Sequence, residues 1–485
     1  MSRCPIADEI AHWAAVSPGR VAVVDREGEV TFTRFRDGIA ACADLLTALA
    51  GAAGEPVGLF LPNSARFVTA LLGAASAGSP AILFPSTFTA GELRQYCQEA
   101  GTRVVLSGPG HREAVEAAGG RLVRRGEMGV EAFAFDAPAA DGLEPADFIG
   151  QLTSGADQPP KIAIRTHAAV HGEIQDFADE IGLRERDVTL VLPSIAHSYG
   201  LIGGTLAPLC RGGRVLLPER FVAEEVAGLM QSTRPTIMYA VPFMYRALAA
   251  APATGAMDAA SFRLCFSAGA PLPRDVDDGF AARFGRRICQ DYGTTEAGVI
   301  SARLEWTERL RDSVGRPVRG REVSVVDGSG RRLRPGHVGE VIVESSALAR
   351  AYLKKRHART RIEGSRLITG DLGWVSEDGY LFLTARTSQQ IRVAGILVDA
   401  AAVEAVIAAL PRVREVAVVG VPHPGTGAVV KAVVVAEGLA AGDVIEHCRR
   451  FLEGHQAPQI VEFRPALPRT PAGKVLRRAL RAPLA

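Results

Sequence analysis

Between Val188 and Gln290 the chain alternates between two kinds of segment, and this restricts the fold more than any other feature of the sequence. Val188 to Leu192, Arg214 to Leu217, Thr236 to Val241, Leu264 to Ser267 and Arg287 to Gln290 are short runs of strand length, mostly apolar or β-branched. Phe221 to Met230 and Phe243 to Ala249 carry apolar residues at helical spacing. Parallel strands need long crossovers, and a helix is the usual one. The pattern therefore predicts a largely parallel sheet with helices on its faces. Ligands of such sheets collect beyond the carboxyl ends of the strands. Two clusters of small and polar residues are expected there: Ser267-Ala268-Gly269 and Asp291-Tyr292-Gly293-Thr294-Thr295-Glu296.

At 485 residues the chain is too long for one ordinary core. Its character changes after about Tyr380. Short strands (Leu381 to Leu383, Glu415 to Val419, Val429 to Val435) then alternate with helices (Ala401 to Ala409, Asp443 to Leu452). The expected class is α/β: a large N-terminal domain of helix-covered sheets, residues 1–385, and a small α+β domain, residues 386–485. Phe67 to Gly91 is uncharged and long enough to suggest a membrane span, but Gly78 and Pro80 interrupt it. A buried helix over Phe67 to Ala77 and a strand over Ala81 to Phe84 are expected instead. A net charge of +2 makes no electrostatic case for nucleic acid or a membrane surface. The seven cysteines are scattered, with no Cys-x-x-Cys pair, which argues against a disulfide framework or a zinc site. No basic segment followed by an apolar run opens the chain, so the expected location is cytoplasmic.

Four segments carry chemistry. Thr153-Ser154-Gly155-Ala156-Asp157-Gln158-Pro159-Pro160-Lys161 combines hydroxyls, a glycine and a lysine that can cradle phosphate, yet it lacks the Gly-Lys-[Ser/Thr] ending of a P-loop. Asp291 to Glu296 gathers an aromatic ring suited to a purine, hydroxyls suited to phosphate and a carboxylate suited to Mg²⁺. Thr369-Gly370-Asp371 puts a carboxylate after a glycine turn, where it can take both hydroxyls of a ribose. Pro468-Arg469-Thr470-Pro471-Ala472-Gly473-Lys474, just before the helix-like Val475 to Leu480, holds a lysine on a loop that can reach into a neighbouring site. Each segment alone is also compatible with an ordinary surface turn.

In this order, and with Leu61-Pro62-Asn63-Ser64, Ser267 to Pro273, Gly339-Glu340, Arg386, Gly395 and Glu404, the chain resembles the adenylate-forming superfamily. That group contains acyl- and aryl-CoA synthetases, the adenylation domains of peptide synthetases, stand-alone adenylation enzymes and luciferases. The resemblance implies a mobile C-terminal domain and ATP-dependent conversion of a carboxylic acid to acyl-AMP, then transfer to a thiol. The thiol is CoA, or the phosphopantetheine of a carrier protein acting in trans. It implies that Thr153, Ser154 and Gly155, with Lys161, hold phosphates, and that Ala268, Gly269 and Ala270 line the adenine and acyl pockets. Asp291 would meet the adenine amino group, Tyr292 would stack on the ring, and Gly293 and Thr294 would border it. Thr295 would touch the α-phosphate, Glu296 would hold Mg²⁺, and Asp371 would bind the ribose with Arg386 nearby. Lys474 would bridge the carboxylate and the α-phosphate, and Gly395 would open the thiol channel.

Ala196-His197-Ser198-Tyr199-Gly200-Leu201 matches the superfamily's acyl-pocket segment. It makes His197, Ser198 and Tyr199, with Gly269 and Gly293, the expected acid site. Amino-acid-activating relatives carry an aspartate where this chain has Ser198. The segment, like Arg165-Thr166-His167, looks like that of aryl-acid-activating enzymes, so an aromatic or compact acid is expected. Ala156, Asp157 and Gln158 depart from the usual phosphate loop. Ser388, Ala400 and Ala402 depart from the usual hinge and thiol-face residues. These departures leave room for a non-thiol acceptor or an inactive nucleotide-binding regulator. A homodimer is left open.

Overall fold

The computed structural model describes residues 4–49, 54–153, 160–251, 261–354, 360–386, 390–393, 396–423, 426–470 and 474–481, and strand counts below refer to these. The alternating middle of the chain forms the expected sheet. Among the described residues it has nine strands, and its centre is parallel: Arg214–Leu216, Val188–Val191, Ile237–Ala240, Leu264–Ser267 and Cys289–Thr294, in that spatial order. Helices Ala223–Thr233, Pro242–Ala250 and Arg274–Phe284 are the crossovers, and their apolar faces close one core against Met238, Cys265 and Ile288.

A second sheet of eight described strands stands beside the first. Its parallel members Val57–Phe60 and Ala81–Phe84 are buried at every residue, as strands covered on both faces must be. The uncharged stretch resolves into helix Ala65–Ser76, capped by the Ser64 hydroxyl at Phe67 N, and strand Ala81–Phe84. Gly78 turns the chain between them at φ +78°. No helix among the described residues is long and apolar enough to cross a membrane.

Three sequence expectations shift. Leu381 to Leu383 belongs to strand Leu381–Arg386, which pairs with Arg366–Val375 in a third sheet and so extends the larger part of the molecule. Asp291 to Thr294 is not beyond a strand end but inside strand Cys289–Thr294, because Gly298–Ala302 folds back on it as an antiparallel partner. The helix expected from Val475 is a short 3₁₀ turn, Arg477–Leu480.

The smaller part is a three-stranded sheet of Val413–His423, Gly427–Ala436 and Ile460–Phe463, counted among the described residues. Helices Ala400–Ala408 and Ala441–Phe451 cover one face. Leu467, Val475 and Leu480 cover the other. The chain between Leu467 and Leu480 is thus pinned to the small sheet on both sides of Lys474.

Candidate functional site

Leu264–Ser267 and Cys289–Thr294 are parallel neighbours, so their carboxyl ends lie on the same side of the sheet. Gly269 turns there at φ +84°, with Gly269 and Ala270 exposed and Ala268 buried. Asp291 is buried, and its Oδ1 has no hydrogen-bond partner among the described residues. Burial pushes its carboxyl well above the usual carboxylate range. A ligand N–H arriving at Oδ1 would supply both the missing partner and part of the lost solvation. The Tyr292 ring packs with Ala297, Ile300 and Val341, and its hydroxyl donates to Asp371 Oδ2 at 2.6 Å. Asp371 is held in turn by its own N–H on Thr369 Oγ1, 3.0 Å, next to Gly370 at φ +75°. Arg386 sits opposite Asp371 in antiparallel register. Gly293 is exposed, and Thr294 Oγ1 accepts from Ala297 N at 3.1 Å, which closes the turn carrying half-buried Thr295.

The expected acid side is built on a π-helix, Tyr199–Leu206, whose residues from Gly200 onward are all buried. Wide turns of this kind recur at functional sites. Tyr199 OH shares its one proton between the carbonyls of Phe266, 2.8 Å, and Ala240, 3.1 Å, and ties the π-helix to two strand ends. Ser198 Oγ donates to Gln151 Oε1 at 2.7 Å. Gln151 is fully buried, and its amide nitrogen lacks a partner among the described residues, as does His197 Nε2. Burial, and then the positive charge of Lys474, lower the His197 pKa to about 4, so the ring is neutral near pH 7.

The strands Asp147–Leu152 and Ile162–Thr166 form an antiparallel pair whose connection is the expected phosphate loop. Thr153 and Lys161 close its neck: Thr153 N donates to Lys161 O at 2.7 Å, and Lys161 N to Thr153 Oγ1 at 3.0 Å. Ser154 and Gly155 lie outside the described residues, as does Gly395. Arg165, on the second strand, is fully buried and pairs with Glu173 at 2.6 Å. It also donates to Ala347 O at 2.7 Å. Glu173 Oε1 accepts from Val299 N at 2.8 Å. This pair joins the phosphate-loop strand to the hairpin that carries Asp291 and Glu296.

Two residues absent from the sequence reading matter here, Gln151 and Tyr352. Tyr352 OH donates to Glu296 Oε1 at 2.6 Å, and the Lys161 ammonium lies 4.5 Å from the Tyr352 ring centroid. Burial lowers the Lys161 pKa and the charge of Glu296 opposes that shift. No sequence signal marks Tyr352. It reaches the site because Ala351–Tyr352 pairs with Ile162–Thr166.

Lys474 enters from the small part. A methyl group placed on Gly269 would lie 3.8 Å from Lys474 Cε, so the side chain passes over that glycine. Its charge is felt at His197. The loop that carries it is closed by Thr470 N to Lys474 O, 2.7 Å, and Lys474 N to Thr470 Oγ1, 3.2 Å. Beside it the Arg469 guanidinium lies 5.7 Å from the Phe243 ring, which is 37% exposed.

Residues 10–353 match the family model of the AMP-binding enzymes, and residues 402–474 match that of the AMP-binding enzyme C-terminal domain. The chain is 30% identical to the long-chain-fatty-acid–CoA ligase FadD13 of Mycobacterium tuberculosis, covering 96% of each. It is also 30% identical to a feruloyl-CoA synthase of Amycolatopsis sp, again over 96% of each. Its structure resembles the amide bond synthetase McbA of Marinactinospora thermotolerans, with TM-score 0.83, 27% identity and 99% of each chain covered.

Proposed function

Because this chain belongs to the AMP-binding enzymes and is an acid–thiol ligase acting through an acyl-adenylate, we propose that its acid is aromatic or compact and that Lys474 joins the two substrates. The acid's carboxylate attacks the α-phosphorus, the bond to pyrophosphate breaks, and a mixed anhydride with AMP forms. The sulfur of CoA then attacks the acyl carbon, a base takes its proton, and AMP leaves. A carboxylate is a weak nucleophile and the triphosphate repels it, so the first step needs fixed positive charge where the two anions meet. The position of Lys474, over Gly269 and felt at His197, is the observation that carries this reading.

Asp291 takes the adenine amino group, Tyr292 borders the ring and Asp371 takes the ribose hydroxyls. Thr153, Ser154, Gly155 and Lys161 hold the outer phosphates, and Thr295 meets the α-phosphate. Glu296 fits a magnesium ion. No group of three metal-ligating side chains exists among the described residues, and a magnesium ion asks for one or two carboxylates, with water and phosphate oxygens completing its shell. When bound, that ion would screen the triphosphate charge. His197, neutral and beside Lys474, forms a wall of the acid pocket without adding a second cation, and Ser198 and Tyr199 shape its floor.

Residues 1–385 and 386–485 act as two bodies that rotate about a hinge at Arg386 to Ser388, withdrawing Lys474 and presenting Gly395 to the thiol. The enzyme works in the cytoplasm. The likeness to an amide bond synthetase, together with Ala400 and Ala402, supports a second activity on the same adenylate, in which an amine competes with the thiol for the acyl group.

The test is acid-dependent exchange of labelled pyrophosphate into ATP, screened over aryl, fatty and amino acids. Aryl acids should give the fastest exchange, and Lys474→Ala should slow it about 10²–10³-fold. No exchange with any of the acids, while ATP still binds, would point to a regulator instead. Supplying CoA, a carrier protein or an amine with the best acid then identifies the acceptor.

A further inference from the structure

Among the described residues, Tyr352 touches both Glu296 and Lys161, the groups expected on the phosphate side of the site. Its hydroxyl donates to Glu296 Oε1 at 2.6 Å, and its ring face receives Lys161 at 4.5 Å. Neither contact follows from general packing. Glu296 is 5% exposed, and its backbone carbonyl also accepts from Ala349 N at 2.6 Å, so the segment ending in Tyr352 is fastened to the turn at two points. Strand pairing of Tyr352 with Ala163 sets the ring beside the neck of the phosphate loop.

We propose that Tyr352 is a positioning residue that presents Glu296 to the metal of a metal–nucleotide complex and holds Lys161 beside it. The proposal rests on the assignment of Glu296 above. With Oε1 engaged by the hydroxyl, the carboxylate is fixed in one rotamer and Oε2 is left for a cation. A carboxylate oriented by an outer partner binds metal more tightly than one free to rotate, and losing such a partner typically weakens metal affinity about tenfold or more. The ring does different work. Its face favours an ammonium group at close range and keeps Lys161 from pairing directly with Glu296, which would neutralise both.

Tyr352→Phe removes the hydroxyl and keeps the ring. Manganese binding to the enzyme–ATP complex, followed by electron paramagnetic resonance, should weaken about tenfold. ATP binding in excess EDTA, followed calorimetrically, should stay within about twofold, since Lys161 keeps its ring. In combination with Glu296→Gln, Tyr352→Phe should cause no further loss of manganese affinity, because its effect passes through that carboxylate. Unchanged or tighter manganese binding in Tyr352→Phe would overturn the proposal, as would full additivity in the double variant. An equal fall of metal-free ATP binding would also overturn it. Should the wild-type enzyme show no acid-dependent exchange, the functional reading fails. Should it show exchange with a silent Tyr352→Phe, only this inference fails.

Discussion

Burial shifts the proton affinity of both His197 and Asp291, and each residue can be probed by titration or substitution. The folded His197 has a pKa near 4 against an ordinary 6.5. Between those values the unfolded chain binds more protons than the folded one, so this residue's contribution to stability is lost as pH falls from about 6.5 to about 4. His197→Gln should lose that part of the acid-side decline, measured as thermal midpoints from pH 4 to 7 beside the wild type. On the proposed assignment, the unpartnered Asp291 Oδ1 takes a donor that adenine has and guanine lacks at the matching position. Asp291→Ala should lower the preference for ATP over GTP in pyrophosphate exchange by up to about tenfold, the worth of one hydrogen bond. At this scale the sequence reveals residues whose neighbours in the chain are chemically telling, such as Asp291 to Glu296 and Thr470 to Lys474. Tyr352 and Gln151 stand among apolar or unremarkable neighbours. Their partners, Glu296 and Ser198, lie 56 and 47 residues away, and nothing local announces them.

The strand that follows the phosphate loop and the hairpin that carries Glu296 keep their relative position through a buried ion pair. Arg165 and Glu173 are both essentially unexposed. Removing one partner of such a pair leaves the other charge without compensation and typically costs about 3–5 kcal/mol. Glu173→Gln should lower the urea midpoint accordingly, without a change in denaturant slope. Gly298, at φ +64°, meets the same carboxylate: a methyl group there would fall 2.1 Å from its oxygens. Gly298→Ala should therefore destabilise comparably in the same urea titration. Elements were readable where their pattern is local. The apolar runs of the parallel sheet and the helix before Gly78 are examples. Pairing was not readable. Leu381–Arg386 has the pattern of any short strand, and only its partner, Arg366–Val375, decides which part of the molecule it joins.

Among the described residues, one contact between the two parts of the molecule lies outside the chemistry. Arg469 lies over the exposed ring of Phe243, which itself packs edge-on against Phe221. An exposed contact of this kind is worth about 0.5–1 kcal/mol. Phe243→Ala should therefore slow the adenylation half-reaction about two- to fivefold and leave the transfer half-reaction unslowed, as single-turnover measurements of each step would show. The division of labour also has a consequence for damaged chains. On the proposed assignment, the residues that grip ATP and the acid belong to the larger part, and the ammonium that lets them react arrives from the loop that ends at Lys474. A copy cut before Pro468 would still sequester both compounds while making nothing, and mixed with intact enzyme it would act as a sponge for scarce substrate.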